Sequence, residues 1–339
     1  MNRIIGLLLL QLFFTPGLFA QQTAVNDLIE KGIKLHDKAD YQGAIESYTK
    51  ALLLDNKSAH ANYEAASSYF ALKDYANAVK YSNQVISSNT DYVDQAYILK
   101  GSALDLLGKP LEAVLLYKTA LKKYTQNHLL YYNLAITSFN LKEYKDTDAA
   151  LQHALKLNPF HAGSHFLLGL SMITQEKRVK GILALYNYLL IEPKSDRTES
   201  ALKTLEEEML KVKKKEAEKL ITPTENNSED GFYTAELVLA LMAAARTNEN
   251  NKGKSEVQLF VENTNSLFTI LGELKKDKKG FWWNFYVDYF YGIATNKHTE
   301  AFCYYITQSK EDVYAEWVKS NLPKLEAFSE WYTKNPHKY

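Results

Sequence analysis

Small and large apolar residues recur in a helical pattern over residues 24–56, AVNDLIEKGIKLHDKADYQGAIESYTKALLLDN, and the pattern then repeats. Apolar positions three and four apart, on either side of a polar break at Lys38-Ala39-Asp40, predict two amphipathic helices over 25–36 and 41–54 joined by a tight turn. Gly32, Ala44 and Ala51 are small where two helices would press together, and Leu28, Leu35, Tyr41, Tyr48 and Leu52 are large where the gaps need filling. One such hairpin cannot bury its own apolar face, so it needs copies stacked alongside.

The copies follow at once. The hairpin of 25–58 is succeeded by 59–93, 94–127, 128–161 and 162–195. In the second copy Ala66 stands where Gly32 was, Tyr75 where Tyr41 was and Ala78 where Ala44 was. The third copy begins one residue late, and its Pro110 replaces the tyrosine that opens the second helix, which suits a first helical turn. The fourth copy carries Leu134, Ala135, Tyr144 and Ala154 in register, with Thr147 at an alanine position; the fifth carries Gly169, Gly181 and Leu185, with an irregular turn over 175–180.

This spacing and this order of small residues, tyrosine and Ala-Leu pairs resemble the tetratricopeptide repeat over about 25–195. The resemblance implies an all-α fold: a right-handed α-solenoid of about five hairpins whose first helices line a concave groove that binds peptides or proteins. The groove positions of the family, carried onto this chain, include Ile29, Tyr63, Ile98, Tyr132 and Phe166 at the fifth place of each copy, and His36, Phe70 and Phe139 at the twelfth. Asn133 and Asn140 add amides that can bond a peptide backbone. The lysines with which some members clamp a terminal carboxylate are missing from these positions, so that ligand class is not expected. An apolar or aromatic protein segment is the partner this groove predicts, held by burial. Whether the groove is open or partly covered by the chain's own C-terminal part stays open, as does self-assembly into a homo-oligomer through it.

Beyond the hairpins, residues 196–222 read as a charged helix with one apolar face (Ala201, Leu202, Leu205, Met209), which would cap the stack. A polar break over 223–231 marks a domain boundary, and 232–339 reads as a further helical domain with helices expected at 232–246, 255–275, 281–293, 299–308, 311–320 and 322–334. All four tryptophans lie in that last part: Trp282, Trp283, Trp317 and Trp331. The stretch FWWNFYVDYFYGI, 281–293, carries aromatics on both faces, which points to a helix buried on most of its circumference. A second reading makes Trp282 and Trp283, with Asn284 and Asp288 one turn apart, an aromatic surface for a sugar or an aromatic side chain. On that reading the protein is a glycan-binding protein or an enzyme, recruited by its repeats.

Composition narrows the function. Forty basic and forty acidic residues balance, which argues against nucleic acid as a partner. Residues 1–20, MNRIIGLLLLQLFFTPGLFA, have the charged start, apolar run and small final residue of a secretory signal, so an exported protein is expected, in the periplasm or at the periplasmic face of the outer membrane, with no membrane span in the mature chain. A single cysteine, Cys303, allows no internal disulfide and reads as a small buried residue. His298 near Cys303 lacks an orienting third group for nucleophilic catalysis, and His161 and His165, at helical spacing, lack a third metal ligand. No phosphate-cradling loop or nucleophile elbow is present in the sequence, so no catalytic residue, metal or cofactor is expected.

Overall fold

A computed structural model describes residues 16–210, 231–245 and 253–337. Its described residues are helices, turns and loops, without strands, arranged as consecutive antiparallel pairs: an all-α solenoid. The signal expected over 1–20 lies outside the described residues up to residue 15, as do the part of the expected capping helix from 211, the expected break over 223–230 and residues 246–252.

Five hairpins are formed by α1 (Pro16–His36) with α2 (Tyr41–Leu54), α3 (Ala59–Ala71) with α4 (Tyr75–Ser88), α5 (Val93–Leu106) with α6 (Pro110–Ala120), α7 (His128–Asn140) with α8 (Tyr144–Leu157), and α9 (Ala162–Thr174) with α10 (Arg178–Ile191). α1 is described from Pro16, ahead of the expected start at 25. Every hairpin turns through one residue in the left-handed region, at Ala39, Lys73, Gly108, Lys142 and Glu176. The following N–H then reaches back to the carbonyl that closes the first helix, as Asp40 does to Leu35 (2.9 Å) and Lys177 to Met172 (2.9 Å). The fifth turn, irregular in sequence, therefore has the same backbone as the others. Asp40 and Asp74 go on to cap the second helix of their hairpins by accepting from the Gly43 and Asn77 amides.

Packing inside four of the five hairpins follows from two facing positions, a small residue and a large one; the second hairpin has Ala66 and Ser82 there. In the first and third, a glycine faces a tyrosine: Gly32 lies under Tyr48 and Gly101 under Tyr117. In the fifth, Gly169 lies under Leu185; the fourth has Ala135 and Leu151 at the same two places, both fully buried. A methyl group on Gly101 would fall within the Tyr117 ring, whose hydroxyl is tethered to the Ile98 carbonyl and the Ser102 hydroxyl, each at 3.2 Å. Gly101→Ala is expected to cost about 1–3 kcal/mol by overpacking. Adding Tyr117→Leu, which copies the fourth hairpin, should recover part of the loss in a urea titration; equal or additive losses in the two variants would refute the pairing.

The chain divides into two compact units between Thr125 and Gln126. The first holds three hairpins. The second holds the fourth and fifth together with α11 (Thr198–Leu210), α12 (Tyr233–Ala244), α13 (Glu256–Lys275), a π-helical turn (Trp282–Val287), α14 (Asp288–Thr295), α15 (Thr299–Ile306) and α16 (Glu311–Lys334). The two helices expected at 311–320 and 322–334 are both present, and α16 is the pair of them meeting at a kink at Asn321, whose backbone is not helical, close to Pro323, which has no N–H to give the helix.

The centre of this second unit is α10. Every residue from Arg178 to Leu190 is buried, so the helix has no solvent face. α9, α11, α12, α15 and the π turn all pack on it. Tyr186 sits among Phe260, Phe268, Phe290 and Phe302, and its hydroxyl bonds Thr264 Oγ1 at 2.6 Å. Arg178 donates to the Glu208 carbonyl on α11 (2.6 Å), and Glu236 of α12 accepts from the Val179 amide at the start of α10 (2.7 Å). Helices after residue 196 thus surround the last helix of the repeats and share its core.

Candidate functional site

The first helix of each hairpin carries the predicted groove residues, which are described unit by unit. In the first unit Tyr63 stacks on Tyr92 (5.3 Å between ring centres), and His60 stacks on the same ring at 4.8 Å. Phe70 meets Tyr75 edge-on at 5.4 Å. His36 meets Tyr41 in the same way at 5.0 Å, and its Nδ1 bonds Ser68 Oγ at 2.7 Å. Ile98 is half-buried. Ile29 is a correction: at 2% exposure it belongs to the core, because the short side chains of Ala61 and Ala65 on α3 admit it between the first two hairpins. It offers nothing to a partner. Tyr97, adjacent to the predicted Ile98, packs on Tyr124 (6.1 Å) and is the aromatic that the register missed.

In the second unit the same arrangement recurs. Tyr132 meets His161 edge-on at 4.6 Å, and Phe139 meets Tyr144 at 5.9 Å. Phe166 packs on Tyr188 at 5.0 Å, and the Arg197 guanidinium lies over both rings, at 5.3 and 5.6 Å. Tyr132, Asn133, Phe139 and Phe166 are half-buried, and Asn140 is exposed. Asn133 directs its amide nitrogen to the Leu129 carbonyl of its own helix (2.8 Å), so the nitrogen is engaged locally. In the first, second and fourth hairpins the tyrosine that opens the second helix braces the ring at the twelfth position, and in the second, third and fourth a ring from the segment leading into the next hairpin braces the one near the fifth.

The expected C-terminal aromatic surface separates into two parts. Trp282 (9% exposed) and Trp283 (3%) are core residues rather than a platform. Phe232 packs on Trp283 at 4.4 Å, and the Lys180 ammonium lies 5.1 Å from the Phe232 ring and 5.4 Å from Trp282. The π turn, with one more residue per turn than an α-helix, brings five of its six side chains into the core. Asn284 and Asp288 are exposed, and Asp288 pairs with Lys275.

Three polar side chains buried beneath these rings join the fifth hairpin to the C-terminal helices. His165 accepts from Tyr286 through Nδ1 (2.7 Å), and its Nε2 faces the Pro159 carbonyl (2.8 Å). His337 lies between the rings of Phe285 and Tyr289, at 4.1 and 4.3 Å, with Nε2 against the Phe285 carbonyl. Asn187 bridges the two imidazoles, 2.7 Å from His165 Nε2 and 3.0 Å from His337 Nδ1. Burial holds the His165 pKa down to about 3 and that of His337 to about 4, so both rings are neutral at neutral pH. Burial likewise lowers His161 to about 4.

No cluster of three metal-ligating side chains occurs among the described residues, and the spacing of His161 and His165 is accounted for by helix capping and by this network. Cys303 is fully buried, with its thiol pKa pushed up by burial, while the His298 ring packs toward Phe328 and Trp331. No described helix is long and apolar enough to cross a membrane.

Helical hairpins recurring at a near-constant spacing, closed by one turn and in four of the five packed through a small–large pair, define a repeat protein. Family models of the tetratricopeptide repeat match residues 31–92 and 129–161, so the chain contains tetratricopeptide repeats. Human protein O-mannosyl-transferase TMTC3 is 42% identical over 79 residues, which are 23% of this chain and 8% of that protein. The chain thus spans under a tenth of that curated relative. Among solved structures, YrrB, described as a repeat protein of this family with an unusual peptide-binding site, is 19% identical over 55% of this chain and 97% of its own (TM-score 0.42). The first repeat domain of Spaghetti (RPAP3), bound to an HSP90 peptide, is 31% identical over 35% of this chain and 94% of its own (TM-score 0.33). TTC0263 of Thermus thermophilus is 18% identical over 53% and 99% (TM-score 0.46).

Proposed function

We propose that this protein is a non-catalytic scaffold of the bacterial cell envelope that captures an apolar or aromatic segment of a partner protein on the first helices of its repeats. Repeats of this family mediate protein–protein contacts. The observation that carries the reading is the bracing of the half-buried rings: Tyr63, Phe70, Tyr132, Phe139 and Phe166 each lie against a second ring. Rings already held in place lose little conformational freedom on binding, and such aromatics dominate interface energies. The envelope setting rests on the amino-terminal sequence, whose charged start and apolar run fit an export signal.

The test is affinity capture from the native envelope with the tagged full chain, compared with a variant carrying alanine at Tyr63, Phe70, Tyr132 and Phe139. Each truncated anchor should cost about 2 kcal/mol of binding, roughly thirtyfold. The partner is therefore lost from the variant while its helical circular dichroism is retained, and the exported protein begins at Gln21 on sequencing. A folded variant that captures the same partner at the same level overturns the groove assignment.

A further inference from the structure

Trp282 and Trp283 are buried, yet their neighbours Asn284 and Asp288 open onto a cleft on the other side of the same helix. The cleft has a volume of about 370 Å³, at the small end of ligand pockets. One wall is a stripe with a residue at every fourth position, Asn284, Asp288, Gly292 and Asn296, which a helix sets in a row. The facing wall is the end of α16, with the half-buried indole of Trp331 and the amide of Asn335. Gly292 lets the indole approach: a side chain there would stand 3.2 Å from the Trp331 ring.

The polar groups are set up to accept. Asn296 and Asn335 each direct the amide nitrogen to a carbonyl of their own helix, at 2.8 Å to Gly292 and 2.9 Å to Trp331, which turns the amide oxygen away from the helix. Asp288 adds a carboxylate. Charges are locally matched: Asp288 pairs with Lys275, and Lys334 at the rim pairs with Glu330 at 3.3 Å. An anion meets no uncompensated lysine, and a cation meets a carboxylate already neutralised. Tyr289 lies in the floor of the cleft. A flat apolar ring beside fixed, neutral acceptors complements a molecule with one C–H face and several hydroxyl groups.

We propose that this cleft binds a neutral sugar of one or two pyranose rings, stacked on Trp331 and donating its hydroxyls to Asn296, Asn335 and Asp288. This site is separate from the partner-binding face of the repeats. The test is saturation-transfer NMR on the full chain with methyl β-glucopyranoside, methyl β-galactopyranoside, N-acetylglucosamine and cellobiose, and with choline and inorganic phosphate as the competing charged classes. At least one sugar should receive saturation, mainly on the protons of one ring face. Asn296→Ala, an exposed change that leaves the core alone, should weaken its binding about tenfold, as should Trp331→Ala. The variant with four alanines on the repeats should bind it like the native chain. Silence from all four sugars, a response to choline or phosphate alone, or unchanged sugar affinity in the folded Asn296→Ala protein overturns the assignment.

Discussion

Tyr186→Ala will unfold the tryptophan-containing helices at the far end of the chain along with its own hairpin. Tyr186 belongs to the fifth repeat, yet its ring lies among four phenylalanines from α13, α14 and α15. Removing a fully buried aromatic side chain costs about 3–5 kcal/mol through lost burial and the cavity left behind. That is a large share of the total stability of a typical domain. All four tryptophans lie between residues 282 and 331, so their fluorescence reports only the C-terminal helices. In a urea titration the tryptophan transition should move to lower denaturant together with the loss of helical circular dichroism from the second unit. A tryptophan transition that stays in place would mean that 232–337 folds by itself. Tyr186→Phe keeps the ring and removes only the bond to Thr264, and should cost about 1 kcal/mol.

Acid will weaken the second unit well above the pH at which ordinary carboxylates protonate. An imidazole in the unfolded chain binds a proton near pH 6.5; in the fold His165 does so only at about 3 and His337 at about 4. Across that interval the unfolded chain holds protons that the folded chain excludes. Stability therefore rises with pH through the window and is lost as pH falls from 6.5 toward 4, by about 1.4 kcal/mol per pH unit for each ring. His161, also held low at about 4, contributes in the same direction. Asp148, whose carboxyl is raised by burial, works in the opposite direction, so comparison of variants is the clean measurement. Chemical denaturation between pH 4.5 and 7 should give a slope that falls by about one proton's worth in His337→Gln, though that variant is less stable at pH 7. A slope identical to that of the native chain would show that His337 is not held neutral by the fold.

The hairpins were legible because their determinants are local. Gly32 and Tyr48, or Gly169 and Leu185, lie within one repeat, and the turn at Ala39 is set by residues beside it. The ring positions on the first helices were legible for the same reason, except where a neighbouring repeat intervened. Ile29 looks free in its own helix and is covered only because α3 presents Ala61 and Ala65 to it. In the C-terminal half the determinants are distant. Trp282 and Trp283 are claimed by Lys180 and Phe232, and His165 meets Tyr286 across more than a hundred residues. The aromatic run of 281–293 signalled burial on most of its circumference, which the structure has except along the side of Asn284 and Asp288, but not the π turn that produces it. α10 carries a signal of the same kind: RVKGILALYNYLLI has apolar or aromatic residues around most of its circumference, broken only by Arg178, Lys180 and Asn187, which implies neighbours on most sides. Trp331 and Asn296 stand far apart in sequence and flank one cleft only because α16 returns across α14.

Repeat arrays can lengthen when a coding segment is duplicated, since each new hairpin finds the same surface waiting on the last one. Here the surface of α10 is already taken on every side, by α11, by the π turn and by the helices that carry Phe268 and Phe302. A hairpin inserted after residue 191 would have to displace that whole shell. The number of repeats in this protein can drift upstream of the fifth, but its carboxyl end is closed to growth.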